Sequence, residues 1–272
     1  MGEEKINGMY SPLRLAGKYL YYYLTAANGK GHGTHSPFVF DFITKVLDDH
    51  QRYPAYMPIE QLRRTLCRDP TPLRIEDMGA GSVFAATGTR SVASIARHAA
   101  KPPRLGQLLH RVARHYSPST ILELGTSLGL STAYLTAGAP QARLWTIEGA
   151  LSIADKARAN LNSLGAKAEI LTGNFDTVLP GLLEEIPPVE LAFIDGNHRC
   201  EPTLRYFDAI FRHAAPASVL IFDDIHWSAG METAWNTIRN DPRVYLTIDL
   251  FFIGFVFRRD EFKVKQDFTI RF

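Results

Sequence analysis

The sequence predicts a doubly wound α/β fold, in which the strands of a mostly parallel sheet alternate with helices. Within its 272 residues, short apolar runs alternate with segments of helical periodicity from about residue 104 onward. One of these runs, at 120–124, ends in a glycine-rich turn that opens a helix. Such α/β proteins bind ligands at this edge of the sheet, beyond the carboxyl ends of the parallel strands. The pattern therefore predicts both a fold class and the place of a binding site.

Seven apolar runs are candidate strands of this sheet. They lie at residues 120–124, 143–148, 168–171, 191–195, 219–223, 244–249 and 251–258. The segment before them has a different character, because helical patches at 13–27, 38–47 and 59–67 are separated by breaks that contain glycine or proline. We therefore expect an N-terminal helical cap and loop segment, residues 1–103, and an α/β domain, residues 104–272.

The composition is that of an ordinary globular protein, with 46% hydrophobic residues, 21% charged residues and a net charge of +2. Cys67 and Cys200 have no metal-type spacing, which predicts reduced thiols and a cytoplasmic location. The apolar patch at 19–25 is too short to span a bilayer, so no membrane association is expected. The basic stretch 90–114 is interpreted as solvated helix faces. A small-molecule substrate is expected, nucleic acid is not, and a homo-oligomer is left open.

The glycine-rich turn has the layout of a site for a nucleotide-like ligand. Gly125 and Gly129 allow the backbone to approach a ligand where a Cβ atom would collide. The helix that follows offers N–H groups that suit a carboxylate or a phosphate. Glu148 ends the next strand along the chain and can accept hydrogen bonds from both hydroxyls of a ribose. These residues together predict a site for a ligand that contains a nucleoside.

Two competing interpretations of the glycine pattern are weaker. Residues 125–129 match the G-x-S-x-G nucleophile elbow of serine hydrolases, with Ser127 as the nucleophile. That interpretation leaves Glu148 without a role. A second glycine turn, at 76–82, is followed by no acidic residue before residue 120, so it lacks an acid that could bind a ribose.

Acidic residues follow two later strands of the predicted sheet. Asp195 ends one strand, and Asp223 and Asp224 end the next. Because the carboxyl ends of parallel strands meet at one edge, we expect these three carboxylates to lie together at the edge that carries the glycine turn. Like charges repel unless a cation neutralises them, and Mg²⁺ binds oxygen ligands of this type. His198, three residues after Asp195, is a candidate proton acceptor.

The order of these motifs resembles the class I methyltransferases that use S-adenosylmethionine, and among them the cation-dependent O-methyltransferases of the catechol-type and sugar-modifying groups. The resemblance covers about residues 104–258. Its motifs are Glu123-Leu-Gly125, Thr146-Ile-Glu148, the segment 173–180, Phe193-Ile-Asp195 and Phe222-Asp-Asp224. It implies a Rossmann-like seven-stranded sheet with helices on both faces, in which the last two strands form an antiparallel pair.

Carried over by position, the resemblance implies a set of cofactor-binding residues. Ser131 would hold the carboxylate of S-adenosylmethionine, and Glu148 would hold its ribose. Phe175 and Asp176 would lie beside its adenine. The full set is Glu123, Gly125, Thr126, Ser127, Gly129, Ser131, Glu148, Gly173, Asn174, Phe175, Asp176 and Asp195.

The resemblance also implies a metal site and a catalytic pair. Asp195, Asp223 and Asp224 would bind Mg²⁺ or Mn²⁺, and His198 with Asp195 would be catalytic. The catechol-type pattern has asparagine where this chain has Asp224, and a lysine base where it has His198. The sequence therefore predicts an S-adenosylmethionine-dependent methyltransferase that methylates a hydroxyl group of a small molecule. The alternatives left open are a serine hydrolase that uses Ser127 and a catalytically silent protein that binds S-adenosylmethionine.

Overall fold

A computed structural model describes residues 8–27, 29, 36–74 and 88–272. The second glycine turn, at 76–82, lies outside these residues. The chain divides into two compact units. The central unit comprises residues 49–187, and the terminal unit combines residues 1–48 with residues 188–272. The boundary expected between residues 103 and 104 stays a prediction.

Ten α-helices lie within the described residues. In chain order, α1 to α10 are Pro12–Thr25, Pro37–Phe42, Tyr56–Leu66, Val92–His98, Pro103–Tyr116, Leu130–Gly138, Leu151–Ser163, Phe175–Glu185, Cys200–His213 and Ala229–Asn240. A π-helical turn, Ile43–Leu47, continues α2. Helices α1, α2 and α5 begin with proline, because its fixed φ suits the first helical position and its missing N–H is not needed there. Helices thus occupy the three N-terminal patches that the sequence predicts.

The strands of the described residues follow the predicted order. In chain order, β1 to β10 are Pro72–Arg74, Thr89–Ser91, Thr120–Leu124, Arg143–Glu148, Glu169–Thr172, Val189–Ile194, Ala214–Asp223, Leu246–Asp249, Ile253–Phe257 and Gln266–Thr269. Strands β1 and β2 form a separate antiparallel pair. The seven predicted strands correspond to β3 through β9.

In the central unit, β3, β4 and β5 pair in parallel, and β3 is buried along its whole length. Helices α5 and α6 can approach each other closely because Gly138 has no side chain. A Cβ atom at this position would collide with the backbone of His110. Burial, together with the charges of Arg114 and Arg111, lowers the pKa of His110 to about 4, so this imidazole is neutral at neutral pH. Arg111 is itself buried, so the interpretation of the basic stretch as solvated helix faces is wrong for that residue.

In the terminal unit, β6 and β7 pair in parallel, and β9 pairs antiparallel with both β7 and β8. The antiparallel pair β8–β9 and the α/β fold class are confirmed. One more strand, β10, pairs in parallel with β8. None of the helices in the described ranges combines the length and the apolar character needed to cross a bilayer.

A partly buried network of charges connects α1 to the rest of the terminal unit. The Lys18 ammonium donates to both carboxylate oxygens of Glu232, at 2.9 and 3.0 Å. Glu232 also lies 3.0 Å from Nδ1 of His226, whose Nε2 is 2.9 Å from Oδ2 of Asp249. Burial alone would lower the pKa of His226, but the hydrogen bonds and charges of Asp249 and Glu232 outweigh it and raise that pKa. The histidine is therefore a structural bridge between two carboxylates.

Candidate functional site

The glycine-rich turn of the central unit connects β3 to α6, and three of its residues have positive φ. Gly125, Ser127 and Gly129 have φ values of 99°, 47° and 80°. The N–H of Gly125 donates to the carbonyl of Ile147 on β4 at 3.0 Å, and the N–H of Gly129 donates to the carbonyl of Thr126 at 2.9 Å. Glycine adopts positive φ without the steric cost that a side chain brings, which explains two of the three positions.

The N-terminus of α6 lies directly after the glycine-rich turn. Gly129 is the N-cap of α6, and no described side chain caps the helix there. Ser131 lies in the first turn, where backbone N–H groups have no partner within the helix. The partial positive charge of a helix N-terminus favours an anionic group. This position therefore suits the role predicted for Ser131, which is to hold a carboxylate.

Glu148 is held in place by two backbone N–H groups at the end of β4. Its Oε2 accepts a hydrogen bond from the N–H of Ser127 at 2.8 Å. Its Oε1 accepts one from the N–H of Ala150 at 3.1 Å. The first bond joins the carboxylate to the glycine-rich turn, and the second joins it to the start of α7. The side chain is thus fixed beside the turn, where the sequence places a ribose-binding acid.

A second carboxylate, Glu123, supports the turn from the protein interior. Glu123 is fully buried, and its Oε2 accepts hydrogen bonds from the hydroxyls of Thr132 and Thr146, the latter at 2.7 Å. The hydroxyl of Thr146 lies 2.6 Å from that of Thr126 in the turn. This network links β3, β4, the turn and α6. Glu123 and Thr126 therefore belong to the buried hydrogen-bond network that holds the turn in position.

The segment that was predicted to line the adenine begins where β5 ends. The N–H of Gly173 donates to the carbonyl of Glu148 at 2.9 Å, so this segment is adjacent to the ribose-binding candidate. Asn174 caps α8, because its side-chain oxygen accepts from the N–H of Asp176 at 2.8 Å. Phe175 and Asp176 then form the first turn of α8. All cofactor-binding candidates of the central unit thus lie on the turn, on the ends of β3, β4 and β5, or in the first turns of α6 and α8.

In the terminal unit, the carboxyl ends of β6 and β7 bring together Asp195, His198 and Asp223. One ligand atom from each side chain lies within 4.8 Å of the other two. Nε2 of His198 is 3.6 Å from Oδ1 of Asp195. Asp223 is almost fully buried, whereas Asp195 and His198 retain partial exposure. Two carboxylates and one imidazole at this spacing can hold a divalent cation.

Asp224 follows Asp223 but is not a member of this group of three. Its φ of 53° is unusual for a residue with a side chain, and its N–H donates to the carbonyl of Phe252 at 2.7 Å. Asn197 also has a φ of 53°, and its side-chain amide donates to the hydroxyl of Tyr206 at 3.0 Å. The backbone therefore turns sharply after both β6 and β7. A metal-binding role for Asp224 stays a prediction.

The bridge formed by His226 was not foreseen from the sequence. His226 follows β7 in the chain, and its partners are Glu232 and Asp249. Asp249 is the last residue of β8 and also accepts a hydrogen bond from the indole of Trp235 at 3.0 Å. These bonds connect the segment after β7, helix α10 and the end of β8.

Comparison with known proteins agrees with this architecture. Residues 122–225 match a family described as a methyltransferase domain. A catechol O-methyltransferase of Niastella koreensis is 32% identical over 127 residues, which are 45% of this chain and 57% of the relative. One of Mycobacterium tuberculosis is 31% identical over 150 residues, which are 52% and 66% of the two chains. The chain thus matches less than two thirds of either relative.

Solved structures show the same fold. The O-methyltransferase TomG of Streptomyces achromogenes, in complex with S-adenosylmethionine, aligns with a TM-score of 0.52 and 21% identity over 76% of this chain and 89% of its own. At this identity the likeness concerns the fold. The comparisons confirm the resemblance to class I methyltransferases, and they favour neither the serine hydrolase nor the catalytically silent protein.

Gly129 lies in the turn and Gly165 follows α7, and both have positive φ. Alanine variants of the two therefore separate the cost of backbone conformation from the cost of packing at the turn. A Cβ atom on Gly129 would lie 3.1 Å from Cγ of Leu161, whereas no described atom lies within 4 Å of one on Gly165. We expect Gly165→Ala to lower the free energy of unfolding by about 1–2 kcal/mol through left-handed strain alone. Gly129→Ala should lower it by a further 1–3 kcal/mol or so through overpacking. Urea denaturation followed by circular dichroism measures both, and equal losses would contradict the packing constraint.

Proposed function

We propose that this chain, whose residues 122–225 match a methyltransferase domain, is an S-adenosylmethionine-dependent O-methyltransferase that acts on a hydroxyl group of a small molecule. The observation that carries the proposal is the carboxylate of Glu148, fixed by the N–H groups of Ser127 and Ala150 beside the turn. The two curated relatives, both named catechol O-methyltransferase, support an oxygen atom as the methyl acceptor. The free thiols of Cys67 and Cys200 support a cytoplasmic location.

The residues of the central unit fit a ligand of this kind. The N-terminus of α6, with Ser131 in its first turn, would hold the carboxylate of S-adenosylmethionine. Glu148 would accept hydrogen bonds from the ribose hydroxyls, and Phe175 and Asp176 would flank the adenine. S-adenosylmethionine, when bound, would supply an electrophilic methyl carbon, which would pass to the substrate oxygen as the bond to sulfur breaks and S-adenosylhomocysteine leaves. The contribution of these residues is then to orient the bound molecule.

A hydroxyl nucleophile must also lose its proton, and His198 is the candidate base. Imidazole is the side chain best suited to accepting a proton near neutral pH. Asp195, 3.6 Å away, would orient the ring and stabilise the imidazolium once it forms. His198 keeps 29% of its side chain exposed, which leaves the ring accessible to a substrate. We therefore assign proton transfer to His198 and a supporting role to Asp195.

The carboxylates of the terminal unit fit a hard divalent cation. Asp195 and Asp223 lie close together, and Asp223 is almost fully buried, so a cation would offset their mutual repulsion. Asp195 and Asp223, with Asp224 as a third candidate, would hold Mg²⁺ or Mn²⁺ through oxygen atoms. A bound cation would lower the pKa of a coordinated hydroxyl group.

S-adenosylhomocysteine, the product of methyl transfer, should raise the melting temperature of the protein. At 100 times its dissociation constant a ligand adds about 2.7 kcal/mol to the free energy of unfolding. Glu148→Ala should remove most of this shift, because the ribose loses its acceptor. Ser127→Ala is the control, since alanine keeps the N–H that holds Glu148 and loses only the hydroxyl. Absence of a shift in folded wild-type protein would contradict the proposal, as would esterase activity that Ser127→Ala abolishes.

Mn²⁺, used as a spectroscopic probe, should bind between the carboxylates of Asp195 and Asp223. Titration followed by the electron paramagnetic resonance signal of free Mn²⁺ measures the affinity. We expect Asp223→Asn to weaken binding by about tenfold or more, because a neutral amide is a poorer ligand and leaves less negative charge. Glu201→Gln, at an exposed acid paired with Arg205, should leave it unchanged. Equal affinity in the wild type and in folded Asp223→Asn would remove the metal from the proposal.

A further inference from the structure

A cavity of about 430 Å³ lies within the terminal unit, away from the carboxyl ends of β6 and β7. Its walls come from the end of α9, the segment before β8 and the segment after β9, which contribute Arg212, Tyr245 and Arg258. The N–H of Arg258 donates to the carbonyl of Ser218 at 3.0 Å, and Ser218 precedes Asp223 on β7. At about 3.3 Å per residue, this part of the wall lies roughly 17 Å along β7 from that carboxylate. The cavity is therefore separate from the candidate metal site.

The wall of this cavity is basic. One acidic residue of the described chain, Asp260, lines it together with five cationic residues, which are Arg212, Arg243, Arg258, Arg259 and Lys263. Three acids outside the wall, Asp208, Asp241 and Glu261, form ion pairs with Arg212, Arg243 and Arg259. Within the described part of the chain, the ion pairs include neither Arg258 nor Lys263. The wall thus keeps an excess of positive charge, and a concave surface of this kind attracts anions.

Arg258 is held so that part of its guanidinium remains available to a ligand. Its Nη1 donates to the carbonyl of Phe211 at 3.0 Å and to the carbonyl of Ala214. The hydrogen bonds between described residues use neither its Nε nor its Nη2. Guanidinium donors form a planar fork that matches the oxygen atoms of a phosphate group. Because the two carbonyls fix the side chain beforehand, a phosphate would bind here with little loss of side-chain entropy.

Two further cations lie close to Arg258 on this wall. The guanidinium carbons of Arg243 and Arg258 are 5.2 and 5.3 Å from the centroid of the Phe211 ring. Lys263 adds an exposed ammonium, which donates to the carbonyl of Asp260 at 2.6 Å. Like charges gathered on one wall repel each other, and an anion with several charges reduces that repulsion. Phosphate groups carry several charges in a compact form, so they are the ligand groups that this wall favours.

Aromatic side chains form the apolar part of the wall. Tyr245 is 38% exposed, and Phe262 is partly exposed although its ring packs against that of Phe38, with centroids 5.3 Å apart. Aromatic rings beside cations can bind the two parts of a nucleotide, because the base stacks on a ring while the phosphates contact the cations. The volume of the cavity also lies within the range of about 300–1,000 Å³ that is usual for small-molecule sites.

We propose that this cavity binds a nucleoside diphosphate or triphosphate. The phosphates lie at Arg258 and Lys263, and the base lies against Tyr245 and Phe262. An acidic peptide would use the cations but leave the aromatic rings without a role. A nucleic acid chain needs a basic groove that follows its backbone, and not one cavity. The proposal does not depend on the proposed function, because the candidate residues for S-adenosylmethionine other than Asp195 belong to the central unit.

Isothermal titration calorimetry of the full chain with ATP, in buffer free of divalent cations, tests the proposal. Adenosine and inorganic tripolyphosphate each carry one half of the ligand, and both should bind at least about tenfold more weakly than ATP. Lys263→Glu should weaken ATP binding by about tenfold or more, because it replaces an attractive charge beside the phosphates with a repulsive one. Tyr245→Ala should weaken it by about fivefold or more through the loss of stacking. Both positions are exposed, so the fold should stay intact.

Two control variants show where the nucleotide binds. Lys167→Glu makes the same change in net charge at an exposed lysine of the central unit, and it should leave the affinity for ATP unchanged. Glu148→Ala should leave this affinity unchanged as well. The second control separates the cavity from the glycine-rich turn, which is the candidate site for another ligand that contains adenosine.

Four results would overturn the proposal. The first is a folded wild type that does not bind ATP at millimolar concentrations. The second is ATP binding that Glu148→Ala abolishes and that Lys263→Glu and Tyr245→Ala leave unchanged, which would place the nucleotide at the turn. The third is tripolyphosphate that binds as tightly as ATP, which would show that the rings do not recognise a base. The fourth is a short oligodeoxythymidine that binds more tightly than ATP and loses this binding in Lys263→Glu, which would assign the cavity to a nucleic acid.

Discussion

The hydrogen bond from the N–H of Ser127 to the carboxylate of Glu148 is the constraint on which the site of the central unit depends. It joins the turn after β3 to the end of β4, and the bond from Ala150 adds the start of α7. A carboxylate fixed by two N–H groups has lost its rotational freedom before a ligand arrives, so less entropy is lost on binding. The buried Glu123 network supports the same turn from the interior. These hydrogen bonds therefore hold in place the residues that would contact a ligand.

In the terminal unit, the parallel pairing of β6 with β7 has a comparable role. It brings the carboxyl ends of both strands to one edge, and this places Asp195 and Asp223 next to each other. Asp223 pairs with Ile253 of β9, and the preceding Phe222 pairs with Ile194 of β6, so the end of β7 is held on both sides. The unit thus holds two carboxylates closer together than their charges favour, and a cation or the imidazolium of His198 would relieve that repulsion. The same unit holds α1 through the ion pair between Lys18 and Glu232.

Local sequence patterns predicted the elements whose signal lies within a few neighbouring residues. The bounds of β3 and β4 agree with the predicted strands, and Glu148 could be identified because it ends an apolar run. Strand β10 was missed, because only Phe268 among its four residues is strongly apolar and its partner β8 lies about 20 residues earlier. The bridge formed by His226 could not be predicted for a similar reason, since its partner Asp249 is 23 residues away.

A crystal structure of the protein grown with S-adenosylhomocysteine and Mn²⁺ would test the central claim most directly. The account predicts density for the ligand at the turn 125–129, with both ribose hydroxyls on the carboxylate of Glu148 and the ligand carboxylate at the N-terminus of α6. It also predicts an anomalous peak for Mn²⁺ at Asp195 and Asp223. Ligand density at another place, with the Ser127–Glu148 hydrogen bond intact and the turn empty, would contradict it.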